Sequence, residues 1–251
     1  APSYASLIEM TNGGVSDYNA LQLTLERRLS RQFAFVANYT YSKSLDNLSV
    51  DSQFTVSNPD PFNPGFNYGL SDFDTAHNFS LWGLWDLPRF RTPSRWIEGP
   101  LGGWEMTGIW SWRGGTPFSV TAGQDRSLSG VGLDRADLTG DPLLSASRSR
   151  NAIINEYFNV SAFALNAPGA FGTAPRNLLW NLRYFNVDWS LQKSFPIAER
   201  RRMQLRADFF NLFNNVHLNA PGSNLSSAST FGKITGAGDP RIVQLALRLE
   251  F

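Results

Sequence analysis

From Leu21 to Leu29 the odd positions read Leu21, Leu23, Leu25, Arg27 and Leu29, while the even ones read Gln22, Thr24, Glu26 and Arg28. A period of two places the two sets on opposite faces of an extended strand. The alternation then recurs along the chain. Phe33, Phe35, Ala37, Tyr39 and Tyr41 alternate with Ala34, Val36, Asn38, Thr40 and Ser42, only three residues after the first run, which predicts a tight hairpin. Further runs set Phe79, Leu81, Gly83 and Trp85 against Asn78, Ser80, Trp82 and Leu84, and Trp104, Met106, Gly108, Trp110 and Trp112 against Glu105, Thr107, Ile109, Ser111 and Arg113. Towards the end, Phe185, Val187, Trp189 and Leu191 alternate with Asn186, Asp188, Ser190 and Gln192, and Val243, Leu245, Leu247, Leu249 and Phe251 with Gln244, Ala246, Arg248 and Glu250. Between them Met203, Leu205, Ala207 and Phe209 keep the period until Phe210 breaks it, the signature of a bulge or of a strand leaving its apolar surroundings. Seven strands are predicted, near 18–29, 33–44, 77–87, 103–120, 184–195, 202–213 and 241–251.

Composition agrees with fine interleaving of apolar and polar residues. Aromatics make up 14% of the 251 residues and charged residues only 17%, yet the mean hydropathy is −0.25. The longest uninterrupted apolar run is Phe33 to Ala37, far short of the roughly 20 residues that a membrane-crossing helix requires. A net charge of +1 gives no bulk field to attract nucleic acid. The rings also alternate onto the face away from the charges, which is not the layout of a nucleic-acid surface. There is no cysteine, so disulfide and thiol chemistry are excluded. The opening APSYASLIEM, without initiator Met or basic-then-apolar leader, suggests a processed or partial chain.

Connections between the predicted strands alternate in length. Those near 30–32, 88–103 and 196–202 are short; those near 45–77, 121–183 and 214–241 are long and rich in Gly, Pro, Asn, Ser and Asp. Tight turns at one end and long loops at the other are the layout of an antiparallel transmembrane β-barrel, and strands of about ten alternating residues match a tilted bilayer crossing. Aromatics on the apolar face gather near strand ends (Tyr39, Tyr41, Trp110, Trp112, Phe185, Phe195, Phe251), as membrane interfaces favour. The opposite face carries Glu26, Arg28, Glu105, Arg113, Asp188, Arg206, Asp208, Arg248 and Glu250, which predicts a wet, salt-bridged lumen. Arg27 and Lys193 break the apolar face next to short turns, where they are expected to snorkel to headgroups. A soluble β-sandwich alternates in the same way, but its packed faces disfavour so many Trp and Phe at strand ends.

An odd strand number leaves two unpaired edges, which hydrocarbon does not tolerate. Either an eighth strand lies in a long loop, with 152–165 as the candidate, or these residues are one part of a larger wall. Enzyme motifs are not found: His77 and His217 are far apart, and no nucleophile elbow, phosphate loop or dinucleotide fingerprint occurs. No catalytic residue or cofactor is expected. Asp134, Asp137 and Asp141 in GLDRADLTGDP offer oxygen ligands for a metal such as Ca²⁺, but their spacing is not that of a helix–loop–helix calcium site. Turn and cap roles are the plainer reading. Arg27, Arg28, Arg31, Arg89, Arg91, Arg95, Arg200, Arg201 and Arg202 gather at the short-turn end, where anionic headgroups are the expected contact and a periplasmic partner the sharper alternative.

The stretches YNALQLTLERRLSRQFAFVANYTYSKSLD (18–46), GGWEMTGIWSWRGGTPFSV (102–120), FGTAPRNLLW (171–180), YFNVDWSLQKSF (184–195), RMQLRADFFNLFNN (202–215) and FGKITGAGDPRIVQLALRLEF (231–251) resemble the C-terminal part of TonB-dependent outer-membrane receptors. The likeness is nearest to the Oar-like branch with its carboxypeptidase regulatory-like domain. The resemblance implies the C-terminal third of a barrel of about 22 strands, with no plug domain within residues 1–251, long extracellular loops forming a substrate entrance, and a place in the Gram-negative outer membrane. It implies as partners the lipid bilayer, the remaining strands and plug (on the same or another chain), TonB, and the barrel assembly machinery, for which the aromatic Phe251 is the insertion signal. An adhesion-type or structural barrel protein, binding through its loops without energised transport, is the alternative.

Overall fold

The computed structural model describes residues 12–30, 32–49, 58–60, 62–88, 102–198 and 201–251. Seven long strands follow the alternating stretches: β1 (Ser16–Ser30), β2 (Phe33–Asp46), then after the two-residue β3 (Gly69–Leu70), β4 (His77–Asp86) and β5 (Trp104–Arg113). The last three, β10 (Tyr184–Ala198), β11 (Arg201–Phe210) and β12 (Ile242–Glu250), follow a region of short pieces: β6 (Pro117–Phe118), β7 (Asp137–Leu138), α1 (Arg150–Asn155), β8 (Phe163–Ala164) and β9 (Leu179–Trp180).

The long strands form one antiparallel meander in the order β1-β2-β4-β5-β10-β11-β12, with β3 paired to the end of β2. Each long strand pairs with the next long strand in the chain, so no connection has to cross the sheet. The register places like with like. Leu25, Ala37, Leu81, Trp110 and Val187 lie in one row across five strands, and Thr24, Asn38, Ser80, Ser111 and Asn186 in the adjacent row. A one-residue slip at any of these pairings would exchange the faces.

Two strands are shorter than the alternation predicts. The run expected over 103–120 ends at Arg113, because Gly114 and Gly115 turn the chain and Pro117–Phe118 pairs with Leu179–Trp180 in a separate small sheet. The strand expected over 202–213 ends at Phe210, where Asn211 takes a left-handed φ of 53°. The stretch 152–165 supplies no barrel strand. It carries the end of α1, whose N-cap Ser149 accepts from the Ala152 amide, a single 3-10 turn over Val160–Ala162, and β8, which pairs with β7 outside the main sheet. Among the described residues the sheet is therefore open: β1 and β12 are its two edges and are not paired with each other.

On the two edge strands the apolar side chains remain outside, with Leu245 78% exposed and Leu25 63%, whereas Val187 in the middle of the sheet is buried. On three neighbouring strands the apolar face is bracketed by rings eight residues apart, Phe33 and Tyr41, His77 and Trp85, Trp104 and Trp112. Eight residues of strand span about 27 Å, the scale of the roughly 25 Å apolar band between the aromatic girdles of a membrane barrel.

The packed core lies instead among the long connections. Val120, Ala136, Phe158, Ala162, Phe163, Ala174, Leu179 and Phe231 form one buried cluster, drawn from the 114–183 and 211–241 loops. Phe158 meets Phe163 and Phe231 edge-on, at 5.5 and 5.3 Å between ring centroids.

Candidate functional site

Two features can carry function: the charged face of the sheet and the loop assembly at its end. On the charged face the ion pairs run along single strands. Glu26 pairs with Arg28 at 3.6 Å, Arg206 with Asp208 at 2.9 Å and Arg248 with Glu250 at 3.3 Å. Each pair is two residues apart, hence on one face. Apart from Asp208, which is buried, the partners are open to solvent, and exposed contacts of this kind contribute about 0–1 kcal/mol. Their consequence is a field of alternating sign, with little effect on stability.

Between the pairs run uncharged polar links. Ser190 Oγ donates to Asp208 Oδ1 at 2.6 Å, Gln192 donates to Glu105, and Gln204 donates to Gln192 at 3.3 Å. Asp188 accepts from the Asn186 side chain at 2.8 Å and from the Asn211 amide at 2.9 Å, which fixes the turn that ends β11. Arg113 lies over the Tyr184 ring at 4.9 Å. The face is not uniformly polar: in the row from Glu26 to Asp188 stand Val36, Trp82 and Ile109, and Trp82 and Ile109 are exposed.

The three long loops interlock above the strand ends. Arg176 is the main clasp. Its Nη1 donates to Asp46 Oδ1 and O, both at 2.7 Å, and to Asn67 O at 3.0 Å, while Nη2 donates to Ser49 Oγ at 2.6 Å and Asp72 Oδ1 at 3.0 Å. Asn177, held at a positive φ of 55°, donates to Leu70 O and Asp72 Oδ1. Arg135 reaches Asn67 Oδ1 at 3.1 Å, Phe66 O at 3.2 Å and Ala174 O at 2.9 Å, and stacks on the Phe66 ring. Burial, and then repulsion from Arg176, brings its pKa down to about 10. The third loop is tied in through Leu225 N to Thr121 O, Ser226 Oγ to Ala122 O and Ile234 N to Ile154 O. Arg135, Arg176 and Asn177 were not singled out from the sequence, although FGTAPRNLLW contains two of them.

The three aspartates of GLDRADLTGDP are held apart in separate roles. Asp134 is fully buried and accepts from the Ser127 amide and hydroxyl at 2.5 and 2.7 Å and from Asn166 Nδ2 at 3.1 Å. Burial raises its pKa, but those hydrogen bonds prevail and hold it below the ordinary carboxylate value. Asp137 accepts from the Thr173 amide and Asp141 from the Leu143 amide, each at 2.9 Å. Among the described residues no group of three His, Asp or Glu side chains could hold a metal ion. His77 Nδ1 bonds to Tyr39 Oη at 2.8 Å and His217 Nε2 to Phe185 O at 2.8 Å.

At the short-turn end, Arg27 lies over the Phe33 ring and donates to Ser30 O at 3.4 Å. Lys193 departs from the expected snorkelling. It is 6% exposed, its Nζ donates to Gly102 O, and it sits over the Trp104 and Phe195 rings at 5.5 and 4.9 Å. The carbonyl and the rings hold the ammonium in place of headgroups. Arg201 lies over the Phe251 ring at 5.9 Å. Arg31, Arg89, Arg91, Arg95 and Arg200 lie outside the described residues.

Comparison with curated proteins and with solved structures gives no match. A family model described as an outer membrane beta barrel domain matches residues 1–244, nearly the whole chain. With an antiparallel meander, one apolar face bracketed by aromatic rings, and short turns opposite long loops, the chain belongs to the outer membrane β-barrel domain family and is a protein of the bacterial outer membrane.

Proposed function

We propose that this chain is the wall segment of a TonB-dependent outer-membrane receptor or transporter of the Oar-like branch, non-enzymatic, with its long loops forming the substrate entrance. The observation that carries the reading is the two-faced open sheet. The face bearing Glu26, Arg28, Glu105, Arg113, Asp188, Arg206, Asp208 and Arg248 lines a wet lumen, and the edges β1 and β12 require further strands before hydrocarbon can surround the apolar face. Those strands and a plug, on the same or another chain, complete a wide barrel. Because the loops are clasped to one another through Arg135 and Arg176, the entrance is pre-formed, and movement driven through TonB falls to the plug.

A second reading, a structural or adhesion-type barrel whose loops bind a partner, is favoured by one observation: the loops possess a core of their own. Absence of native cysteine makes the test clean. Gln244→Cys on the charged face and Leu245→Cys on the apolar face are labelled in intact cells with a membrane-impermeant maleimide, with and without an uncoupler of the inner membrane. Energised transport predicts labelling of Gln244→Cys that changes with the uncoupler, and little labelling of Leu245→Cys. Labelling of Gln244→Cys that ignores the uncoupler favours the second reading, and equal labelling at both positions rejects the lumen.

A further inference from the structure

The apolar face of the sheet is not smooth. Gly83 of β4 and Gly108 of β5 stand directly opposite each other on the apolar side; the Trp110 indole lies across both positions, and beside it opens a depression of about 390 Å³. Its walls include Phe35, Trp85, Met106, Trp110 and Trp189, and no charged side chain is among the residues that line it. The Trp110 indole depends on that glycine: a Cβ on Gly108 would lie 3.0 Å from its ring. A volume of this size falls in the range of ligand-binding clefts. In a barrel the apolar face meets lipid, and a groove left unfilled there would forfeit the dispersion contacts of every atom along it.

The groove also has a direction. It runs from Trp110, near the middle of β5, to Phe33 and Trp85 in the ring girdle at the short-turn end. At that end the exposed Arg27 guanidinium lies over Phe33, one of the groove's walls. Among the described residues its guanidinium makes one long hydrogen bond, to Ser30 O at 3.4 Å. We propose that this groove is a binding site for one anionic phospholipid of the leaflet at the short-turn end, with an acyl chain between the Phe35, Trp85 and Trp110 rings and the phosphate on Arg27. An apolar slot flanked by a cation at the turn end matches the polarity of such a lipid, tail inward and head at the interface. A zwitterionic lipid would fill the slot equally well but gain less from Arg27.

The test is native mass spectrometry of the full chain, purified in mild detergent, delipidated, and offered phosphatidylglycerol or phosphatidylcholine. The wild type is expected to retain one phosphatidylglycerol, preferred roughly fivefold over phosphatidylcholine, the equivalent of about 1 kcal/mol for one basic residue at an anionic surface. Gly83→Leu obstructs the slot: its Cβ touches the Trp110 ring at 3.7 Å, the rest of the side chain and the displaced indole take up the depression, and retention of both lipids should fall to the detergent background. Arg27→Gln, an exposed change on the edge strand, should keep the lipid and lose the preference. Heat-modifiable gel migration confirms that each variant is folded. Retention by Gly83→Leu equal to wild type would overturn the groove, and an undiminished preference in Arg27→Gln would overturn the headgroup contact.

Discussion

Arg176 closes an ion pair of 2.7 Å with Asp46, 130 residues earlier in the chain, and both side chains are sealed from solvent, at 6% and 3% exposure. The pair joins the end of β2 to the middle loop. Breaking a buried pair by removing one partner costs about 3–5 kcal/mol, because the remaining charge stays desolvated. Arg176→Ala should therefore release the first loop from the second. Hydrogen exchange is expected to rise at 46–49 and 67–72 while the strands keep their protection. Arg176→Lys should fail nearly as badly, since one ammonium cannot serve five acceptors divided between two nitrogens. Unchanged exchange at 67–72 in both variants would show that the clasp is dispensable.

Asp134 makes the same assembly sensitive to acid. Its folded pKa is depressed, so it stabilises the fold fully at pH 7. That contribution begins to shrink as the pH falls past the unfolded value of about 3.9 and is gone below the folded one. Hydrogen exchange around 125–135, corrected for the intrinsic rate, should accelerate below about pH 4. In Asp134→Asn the same segment should already exchange faster at pH 7 and show no further acceleration on acidification. A wild type whose exchange stays flat down to pH 3 would contradict the assignment.

The two faces of the sheet predict opposite responses to the same new charge. Leu81 sits midway between His77 and Trp85 on the apolar face of β4, and Ser80 is its neighbour on the other. An arginine on the lipid face of a barrel near the bilayer midplane costs about 2–4 kcal/mol. Leu81→Arg should lower the stability of the membrane-reconstituted protein to urea by that amount, whereas Ser80→Arg, placed among polar neighbours, should change it little. Equal losses would mean that the faces are not lipid and water.

The sheet was legible because its signal is local. Period-two runs such as Leu21–Leu29 and Phe185–Leu191 fix both strand and face, and the turn chemistry between them fixes the hairpins, so the meander follows from chain order alone. Strand ends were less legible where a single backbone angle decides them, as at Asn211. The loops were not legible. Their core joins Val120, Phe158 and Phe231, residues far apart in sequence and without periodicity, and Arg135 and Arg176 find neutral or acidic partners that no spacing rule connects. A buried arginine reads like any surface arginine until the acceptors that surround it are known. Lys193 misled for the same reason: proximity to a short turn suggests headgroups, whereas the Gly102 carbonyl and two rings receive it instead.

Separate cores predict separate failures. Phe158 is 2% exposed and packs edge-on against Phe163 and Phe231, so Phe158→Ala leaves a cavity in the centre of the loop assembly. Truncating a buried Phe costs about 3–5 kcal/mol, and that loss falls on a unit joined to the sheet through the strand ends and the Arg176–Asp46 contact. Thermolysin should then cut within 120–175 at a concentration that leaves the wild type whole. The β-sheet circular dichroism and heat-modifiable migration should persist, because none of the ladder pairings from β1 to β12 involves Phe158. If the sheet signal fell together with the loops, the loop core would be the foundation of the strand array as well. The two would then form one cooperative unit, and the pre-formed entrance would be inseparable from the wall that bears it.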